Sequence, residues 1–159
     1  MGITLLRKVE VVPPEDLECK FSMVQKQVED IPPILVVSFV GNYPDGSAGN
    51  RHGRYMASMT LLGLSEFEPW CVILDLRNLE YRWGNALLQV FQNVSAFMSK
   101  ENEAGDPPFP VIAVTSEKSR SGFLSLVTPS DGEEPAWHWN SLSEAVEAAV
   151  VAANHWIDG

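Results

Sequence analysis

Three short stretches of the sequence place reactive side chains where chemistry is feasible. Asp75 lies near the end of the apolar run 71–76, where a carboxyl group could act as a general acid or base. A buried carboxylate is costly unless it is paired, so a structural partner such as a nearby arginine is the favoured interpretation. Residues 119–122 resemble a nucleophile elbow, but they lack the Gly-x-Ser-x-Gly pattern and fit the start of a helix. The sequence assigns no catalytic residue.

The third stretch is the glycine-rich segment 46–54, which falls between a predicted strand and a predicted helix, where phosphate loops occur. It lacks the spacing of both common phosphate-binding patterns, so a turn is the favoured interpretation. His52, His138 and His155 are widely spaced and join no Cys/His array. We therefore predict no metal site and no cofactor. Enzymatic activity stays open, with a non-catalytic role favoured.

Basic side chains follow each of the three buried strands that the sequence predicts. In a parallel sheet, the loops that leave the strands meet at one edge, the carboxyl edge, where ligands bind. Six of the eleven Lys and Arg residues fall in these loops: Arg51, Arg54, Arg77, Arg82, Lys118 and Arg120. We expect them to bind an acidic protein surface or an anion. The alternative is local pairing with Asp45, Asp75, Glu80 and Glu117.

The loops at the opposite, amino edge carry the other sign of charge. Their acidic residues are Glu66, Glu68, Glu101, Glu103, Asp106, Glu133 and Glu134. The whole chain has a net charge of −10, which argues against binding to nucleic acid or to an anionic membrane. We therefore expect a protein partner, no nucleic acid and no membrane, with the oligomeric state left open.

Aromatic residues offer a second kind of contact. Trp83 sits in a loop, and Trp137 and Trp139 flank the start of the last predicted helix. Large aromatic side chains often dominate protein interfaces, so these three are possible docking residues. For Trp137 and Trp139, the alternative is that they hold the last helix against the core.

The elements that must position these residues alternate between strand and helix. Apolar runs at 34–40, 71–76 and 111–115 predict strands covered on both faces, each followed by a helix. Segments 3–12 and 19–28 predict an N-terminal β ribbon at one edge. Ser141 and Glu144 match a capping box before a long apolar stripe. The fold class predicted is α/β: one domain over residues 1–159, with helices packed on a mixed or parallel sheet.

The sequence also favours a cytoplasmic location. Arg7 interrupts the N-terminus before a signal-peptide core could form, and no apolar stretch approaches the ~20 residues of a membrane helix. Cys19 and Cys71 are too few for a disulfide scaffold, and Cys71 opens a buried strand.

From about residue 20 to residue 152, the order of elements resembles a STAS domain, of the anti-sigma factor antagonist type. The resemblance rests on the strand that ends at 41, the helix at 51–64, the segment 72–79 and the start of the last helix at 141–145. The family's phospho-acceptor lies in a turn that here is 81–84, where the phenol of Tyr81 is the only hydroxyl. The resemblance therefore implies partner docking without phosphorylation of a serine at that turn.

Three functions remain in play. The leading one is a non-catalytic, STAS-like interaction module that regulates a protein partner through its carboxyl edge. The second is a small acidic inhibitor or immunity-type protein that neutralises a basic toxin or nuclease through its amino edge. The third is an enzyme of crotonase-like fold, because 73–77 is similar to a strand of such enzymes, although their Gly-Gly turn is absent.

Overall fold

The computed structural model describes residues 2–25, 30–98, 108–129 and 132–158. Its strands are β1 Leu17–Met23, β2 Ile34–Asn42, β3 Cys71–Asp75, β4 Leu79–Glu80, β5 Val111–Val114 and β6 His138–Trp139. Its helices are α1 Asn50–Phe67, α2 Leu88–Met98, α3 Arg120–Val127 and α4 Leu142–Asp158. Short 3-10 turns, Gly46–Gly49 and Asn85–Leu87, precede α1 and α2.

The strands form one mixed sheet in the order β1-β2-β3-β5-β6, with β4 also paired to the end of β2. β1 runs antiparallel to β2, and every other pairing is parallel. The predicted fold class is confirmed: a single α/β domain with an antiparallel N-terminal pair at one edge. The three apolar runs are strands, and each is followed by a helix, as the sequence predicts.

Helices cover both faces of the sheet, which explains the unbroken apolar runs. Leu35, Val37 and Phe39 point to the face that carries α1, α2 and α3. Ile34 and Val36 alternate with them and point to the face that carries α4. Because successive side chains of a strand face opposite ways, only a strand buried on both sides needs an apolar residue at every position.

The α4 helix begins where the sequence predicts, since the backbone N–H of Glu144 donates to the hydroxyl of Ser141 at 3.2 Å. Fully buried Ala145, Ala149 and Ala153 let it lie close to the sheet. The α2 helix starts slightly later than predicted, because Asn85–Leu87 is a 3-10 turn and α2 begins only at Leu88.

The predicted strand at 3–12 is wrong. These residues form neither strand nor helix, and all of them are exposed. A strand needs a neighbouring strand to satisfy its backbone, and none of the described strands pairs with this segment. The ribbon is made instead by β1 with β2. None of the described helices is long and apolar enough to cross a membrane.

Candidate docking surface at the carboxyl edge of the sheet

A local irregularity after β3 carries the chain to the carboxyl edge. Ser38 pairs with Asp75 and Gly41 with Leu79, so the β3–β4 side holds one residue more than β2 over this stretch. The turn between them is closed by hydrogen bonds from Leu79 N to Leu76 O and from Gly41 N to Asn78 O. The strand then resumes as β4 and delivers residues 81–86 to the edge. We call residues 81–86 the rim loop.

Hydrogen bonds hold the rim loop at both sides. Within the loop, the buried Tyr81 hydroxyl donates to the carbonyl of Gly84 at 2.6 Å. The N–H of Tyr81 donates to the carbonyl of Lys118, which lies in the loop after β5. The N–H of Gly46, in the loop after β2, donates to the carbonyl of Trp83. The rim loop therefore ties together the loops that leave β2, β4 and β5.

Two glycines outside the rim loop let it pack tightly against helix starts. A Cβ on Gly53 of α1 would lie 2.7 Å from the carbonyl oxygen of Ala86. A Cβ on Gly122 of α3 would lie 2.5 Å from the carbonyl oxygen of Arg82. Real side chains do not approach a backbone oxygen this closely, so both positions require glycine. The path of the rim loop is set by α1 and α3 as well as by its own sequence.

Trp83 is the exposed aromatic residue of this edge. Its side chain is 60% exposed, and its ring lies over Gly46, where a Cβ would come within 2.5 Å of the ring. Gly46 has a φ of +60°, a conformation that glycine adopts without strain. The backbone around Trp83 is thus held in place while much of its ring stays open to solvent.

Asp75 and Arg77 form a closed pair. The guanidinium of Arg77 donates from Nε and from Nη2 to the two carboxylate oxygens, at 2.8 and 3.0 Å. The Arg77 backbone N–H and the Ser38 hydroxyl donate to the same carboxylate. Burial raises the pKa of Asp75, but these hydrogen bonds and the charge of Arg77 outweigh it and hold the pKa below its ordinary value. Asp75 is therefore an ionised structural group.

The remaining predicted cations differ in how far they are engaged. Arg82 forms an ion pair with Asp45. Arg51 donates to the carbonyl of Val12 at 2.6 Å, and Arg120 donates to the side-chain oxygen of Asn140 at 2.6 Å.

Two predicted cations have no partner among the residues that the structure describes. Within the described ranges, the exposed side chains of Arg54 and Lys118 form neither a hydrogen bond nor an ion pair. Arg77 and Arg82, by contrast, are neutralised inside the fold by their ion pairs, as the local-pairing alternative expects for these two of the six predicted cations.

A polar cleft of about 500 Å³ opens beside Arg82. Its lining is Asn42, Tyr43, Pro44, Asp45, Glu80 and Arg82. Because two carboxylates accompany one arginine that is already paired, the cleft itself does not favour a free anion. Cationic contacts at this edge fall to Arg54 and Lys118 on either side of the rim loop.

Trp137 and Trp139 belong to a different surface. Both line an apolar groove of about 550 Å³ beside β5, and Trp83 is not among its lining residues. Trp137 packs 5.3 Å from Phe91, measured between ring centroids. Phe109 and Trp156 complete the groove and were not predicted as site residues. Their aromatic character was the only sequence signal for the groove, because their positions lie far apart in the chain. The three predicted tryptophans thus form two surfaces.

The acidic amino edge is described only in part. Glu66, Glu68, Glu133 and Glu134 are exposed. Glu101, Glu103 and Asp106 lie outside the described residues.

Potential nucleophiles are held in unreactive states. Burial raises the pKa of Cys19 and of Cys71 to about 12, so neither forms a thiolate near neutral pH. Burial also raises the pKa of Tyr43 to about 12 and raises the pKa of Tyr81, whose hydroxyl is inaccessible. The hydroxyl of Ser119 donates to the carbonyl of Leu76 at 2.7 Å, and α3 starts at the next residue. That segment is a helix start, as the sequence analysis favours.

His138 is buried and hydrogen-bonded to Thr115. Its Nε2 lies 2.7 Å from the Thr115 hydroxyl. Burial lowers the pKa of His138, the charge of Glu134 raises it, and the charge of Arg120 lowers it, leaving the pKa below its ordinary value. Neither residue lies on an open surface. The described ranges contain no group of three His, Cys, Asp or Glu residues placed to hold a metal ion.

No family model matches the chain, and no curated protein matches it significantly. A solved structure that is similar to this chain is the crystal structure of an anti-sigma factor antagonist from Mycobacterium paratuberculosis. The identity is 13%, the match covers 87% of this chain and 98% of that chain, and the TM-score is 0.42. This is the class of protein that the sequence resemblance named.

Proposed function

We propose that this chain is a non-catalytic, STAS-like interaction module that docks a protein partner on the carboxyl edge, around Trp83. The observation that carries the proposal is the state of Trp83: 60% exposed, on a loop tied to the loops after β2 and β5. Exposed tryptophans on ordered backbone supply much of the affinity at protein interfaces, because little conformational entropy is lost when they are buried.

Charge beside Trp83 sets the kind of partner surface. Arg54 and Lys118 extend into solvent on the two sides of the rim loop. Cations at the rim of an interface mainly speed the encounter with an acidic surface and make binding sensitive to salt. Arg77 and Arg82 act differently, since they hold Asp75 and Asp45 and so maintain the shape of the edge.

The chemistry of the same edge supports a non-catalytic role. Asp75 is the candidate base of the crotonase-like alternative, and its carboxylate already accepts four hydrogen bonds. A general base needs a free lone pair directed at its substrate. Tyr81, the one hydroxyl at the turn where the family carries its phospho-acceptor, is 1% exposed. Regulation by phosphorylation of that turn is therefore not part of the proposal.

The test is site-specific photo-crosslinking in the native host. A photoreactive phenylalanine analogue replaces Trp83 in one protein and Phe67 in a matched control. Phe67 is also an exposed aromatic, at 44%, but it ends α1 at the amino edge. We expect a discrete adduct from position 83 and none from position 67. Equal adducts from both positions, or none from position 83, would contradict docking at the rim loop.

Affinity then assigns the roles of the individual side chains. For the crosslinked partner, Trp83→Ala should weaken binding by roughly 30-fold or more, the loss typical of an interface tryptophan. Arg54→Glu with Lys118→Glu should slow association and flatten the salt dependence. Phe67→Ala should leave affinity unchanged. If binding instead depends on Glu66 and Glu68, the acidic-inhibitor alternative replaces this one.

A further inference from the structure

The first residues of the chain expose an unusual amount of apolar surface. We call residues 3–12 the N-terminal arm. Six of its aliphatic side chains are between 57% and 94% exposed: Ile3, Leu5, Leu6, Val9, Val11 and Val12. Ile3, Leu5, Val9 and Val11 would share one face of a strand, which Arg7 interrupts at its centre. Soluble domains rarely leave such a run uncovered, so the arm has the properties of a binding segment whose receptor is missing.

The same chain carries a receptor of matching chemistry. We call the 550 Å³ cavity beside β5 the aromatic groove. Its main lining residues are Phe91, Phe109, Trp137, Trp139, Ala152 and Trp156. The groove is open along one side and almost wholly apolar, which suits an extended aliphatic segment better than a compact polar ligand.

The sheet is incomplete along this groove. Among the described residues, β6 pairs only with Ala113 and Val114 of β5, and no strand pairs with Val111 on that side. The N–H of Ala113 points toward β6, where it donates to the carbonyl of Trp137. Because peptide groups of a strand point the same way at every second residue, the N–H and carbonyl of Val111 face the open edge. An arriving strand therefore finds backbone groups as well as apolar side chains.

The arm cannot fill the groove of its own chain in this arrangement. Arg51 holds the carbonyl of Val12 at 2.6 Å, and His52 lies 3.4 Å from the carbonyl of Glu15. These contacts fix the root of the arm beside β1, at the carboxyl edge. The groove lies at the amino end of β5, across β2 and β3. A second copy of the chain brings its arm without this restriction.

Charge favours the same pairing. Among its aliphatic residues the arm carries Arg7, Lys8 and Glu10, so its net charge is +1. Near the groove, Glu134 is close enough to affect His138, and Glu144 lies one helical turn before Ala148, which lines the groove. The net charge of −10 would otherwise oppose self-association, so the basic arm meeting an acidic rim offsets part of that repulsion.

We propose that the N-terminal arm of one copy binds as a strand in the aromatic groove of a second copy, so that reciprocal exchange makes a dimer. The same patch and segment serve on both subunits, as two-fold symmetry requires. This proposal uses a surface other than the rim loop, so its test is independent of the test of the proposed function.

The first experiment is sedimentation velocity of the full-length chain over a range of concentrations. We expect a monomer–dimer equilibrium. Leu5→Asp with Leu6→Asp, which removes arm apolarity, should raise the dimer dissociation constant by roughly tenfold or more, and so should Ala152→Lys in the groove. Leu62→Asp, at an exposed aliphatic position of α1 (46% exposed) outside the arm and the groove, should leave it unchanged. A wild-type chain that stays monomeric at the highest concentration would overturn the proposal.

Charge exchange guards against variants that only disturb folding. Arg7→Glu with Lys8→Glu should weaken the dimer, as should Glu134→Lys with Glu144→Lys. An equimolar mixture of these two proteins should recover association, since each reversed arm then meets a reversed rim. Dimers that ignore both the arm and the groove variants would place self-association elsewhere and overturn the proposal.

A peptide experiment locates the contact directly. A synthetic peptide of residues 2–12, added to the Leu5→Asp, Leu6→Asp chain, should change tryptophan emission, because three tryptophans line the groove. The change should disappear when Ala152→Lys is added. Binding of the peptide only to anionic phosphatidylserine vesicles, with no effect on the chain, would show that the arm serves a membrane surface and would overturn the proposal.

Discussion

The guanidinium of Arg77 donates two parallel hydrogen bonds to the carboxylate of Asp75, although only one residue separates them in the chain. Side-chain exposure is 6% for Asp75 and 36% for Arg77, so one charge is buried while the other reaches solvent. The extra residue between β3 and β4 turns the chain at this point and lets Arg77 fold back onto the end of its own strand. The pair closes the carboxyl end of β3.

This asymmetry predicts unequal costs for breaking the pair. Arg77→Ala leaves a buried carboxylate with only Ser38 and a backbone N–H, and we expect it to lower the free energy of unfolding by about 3 kcal/mol. Asp75→Asn leaves an arginine that water can reach, and we expect a loss of about 2 kcal/mol. Urea denaturation measures both values. A larger loss for Asp75→Asn than for Arg77→Ala would contradict the burial difference.

His138 predicts a weakening of the fold in mild acid. Its pKa in the folded chain lies below the ordinary value of 6.5. As pH falls through about 6.5, His138 becomes protonated in the unfolded chain but stays neutral in the folded chain. The free energy of unfolding therefore decreases. The decrease continues until the pH reaches the folded pKa. Denaturation at pH 7.5 and pH 5.5 should show a larger drop in the free energy of unfolding for wild type than for His138→Gln.

Phe91 and Phe123 should differ in their contribution to stability. Phe123 is fully buried, whereas Phe91 is only partly buried at the wall of the aromatic groove. We expect Phe123→Ala to cost about 3–5 kcal/mol, the value for a buried aromatic. Phe91→Ala should cost about 2 kcal/mol, because part of its surface is already exposed at the groove. Thermal and urea denaturation of the two variants provide the comparison, and equal losses would mean that the groove is closed in solution.

Gly53→Ala should destabilise the protein although alanine favours helices by about 1 kcal/mol. The added Cβ would press on the carbonyl of Ala86, and such overpacking costs about 1–3 kcal/mol. Ser58→Ala, on the exposed side of the same helix, is the control and should change the unfolding free energy by less than about 0.5 kcal/mol. A stabilised Gly53→Ala chain would show that the rim loop can move away from α1.

The layered core was accessible to sequence reasoning because apolar periodicity is a local signal. The runs at 34–40, 71–76 and 111–115 each contain enough consecutive apolar residues to identify strands buried on both faces. The capping pattern at Ser141 and Glu144 is equally local, and the helix starts there. These predictions required no knowledge of what lies next to each element.

Features that depend on distant contacts could not be predicted in this way. The strand pattern at 3–12 is a property of the segment alone, whereas strand formation needs an available sheet edge. Of the basic residues predicted in loops after the strands, Arg77, Arg82 and Lys118 lie in loops, whereas Arg51, Arg54 and Arg120 lie in α1 and α3. The sequence could not show that Arg77 turns to Asp75 and Arg82 to Asp45. The requirement for glycine at positions 53 and 122 could not be predicted either, because Gly53 and Gly122 each pack against a backbone oxygen that is far away in the chain.

Glycines outside the rim loop help to fix its path. Evolutionary changes in the side chains that the edge presents are therefore separate from changes in its backbone. Substitutions at Trp83 or Asn85 alter what the edge presents without altering the route of the backbone, since Gly53 and Gly122 help to set that route from α1 and α3. Paralogues could therefore diverge in partner choice through these few positions while the scaffold stays constant. For protein engineering, the same arrangement makes residues 83 and 85 a compact site for randomisation, with the two glycines and the Arg82–Asp45 ion pair kept fixed.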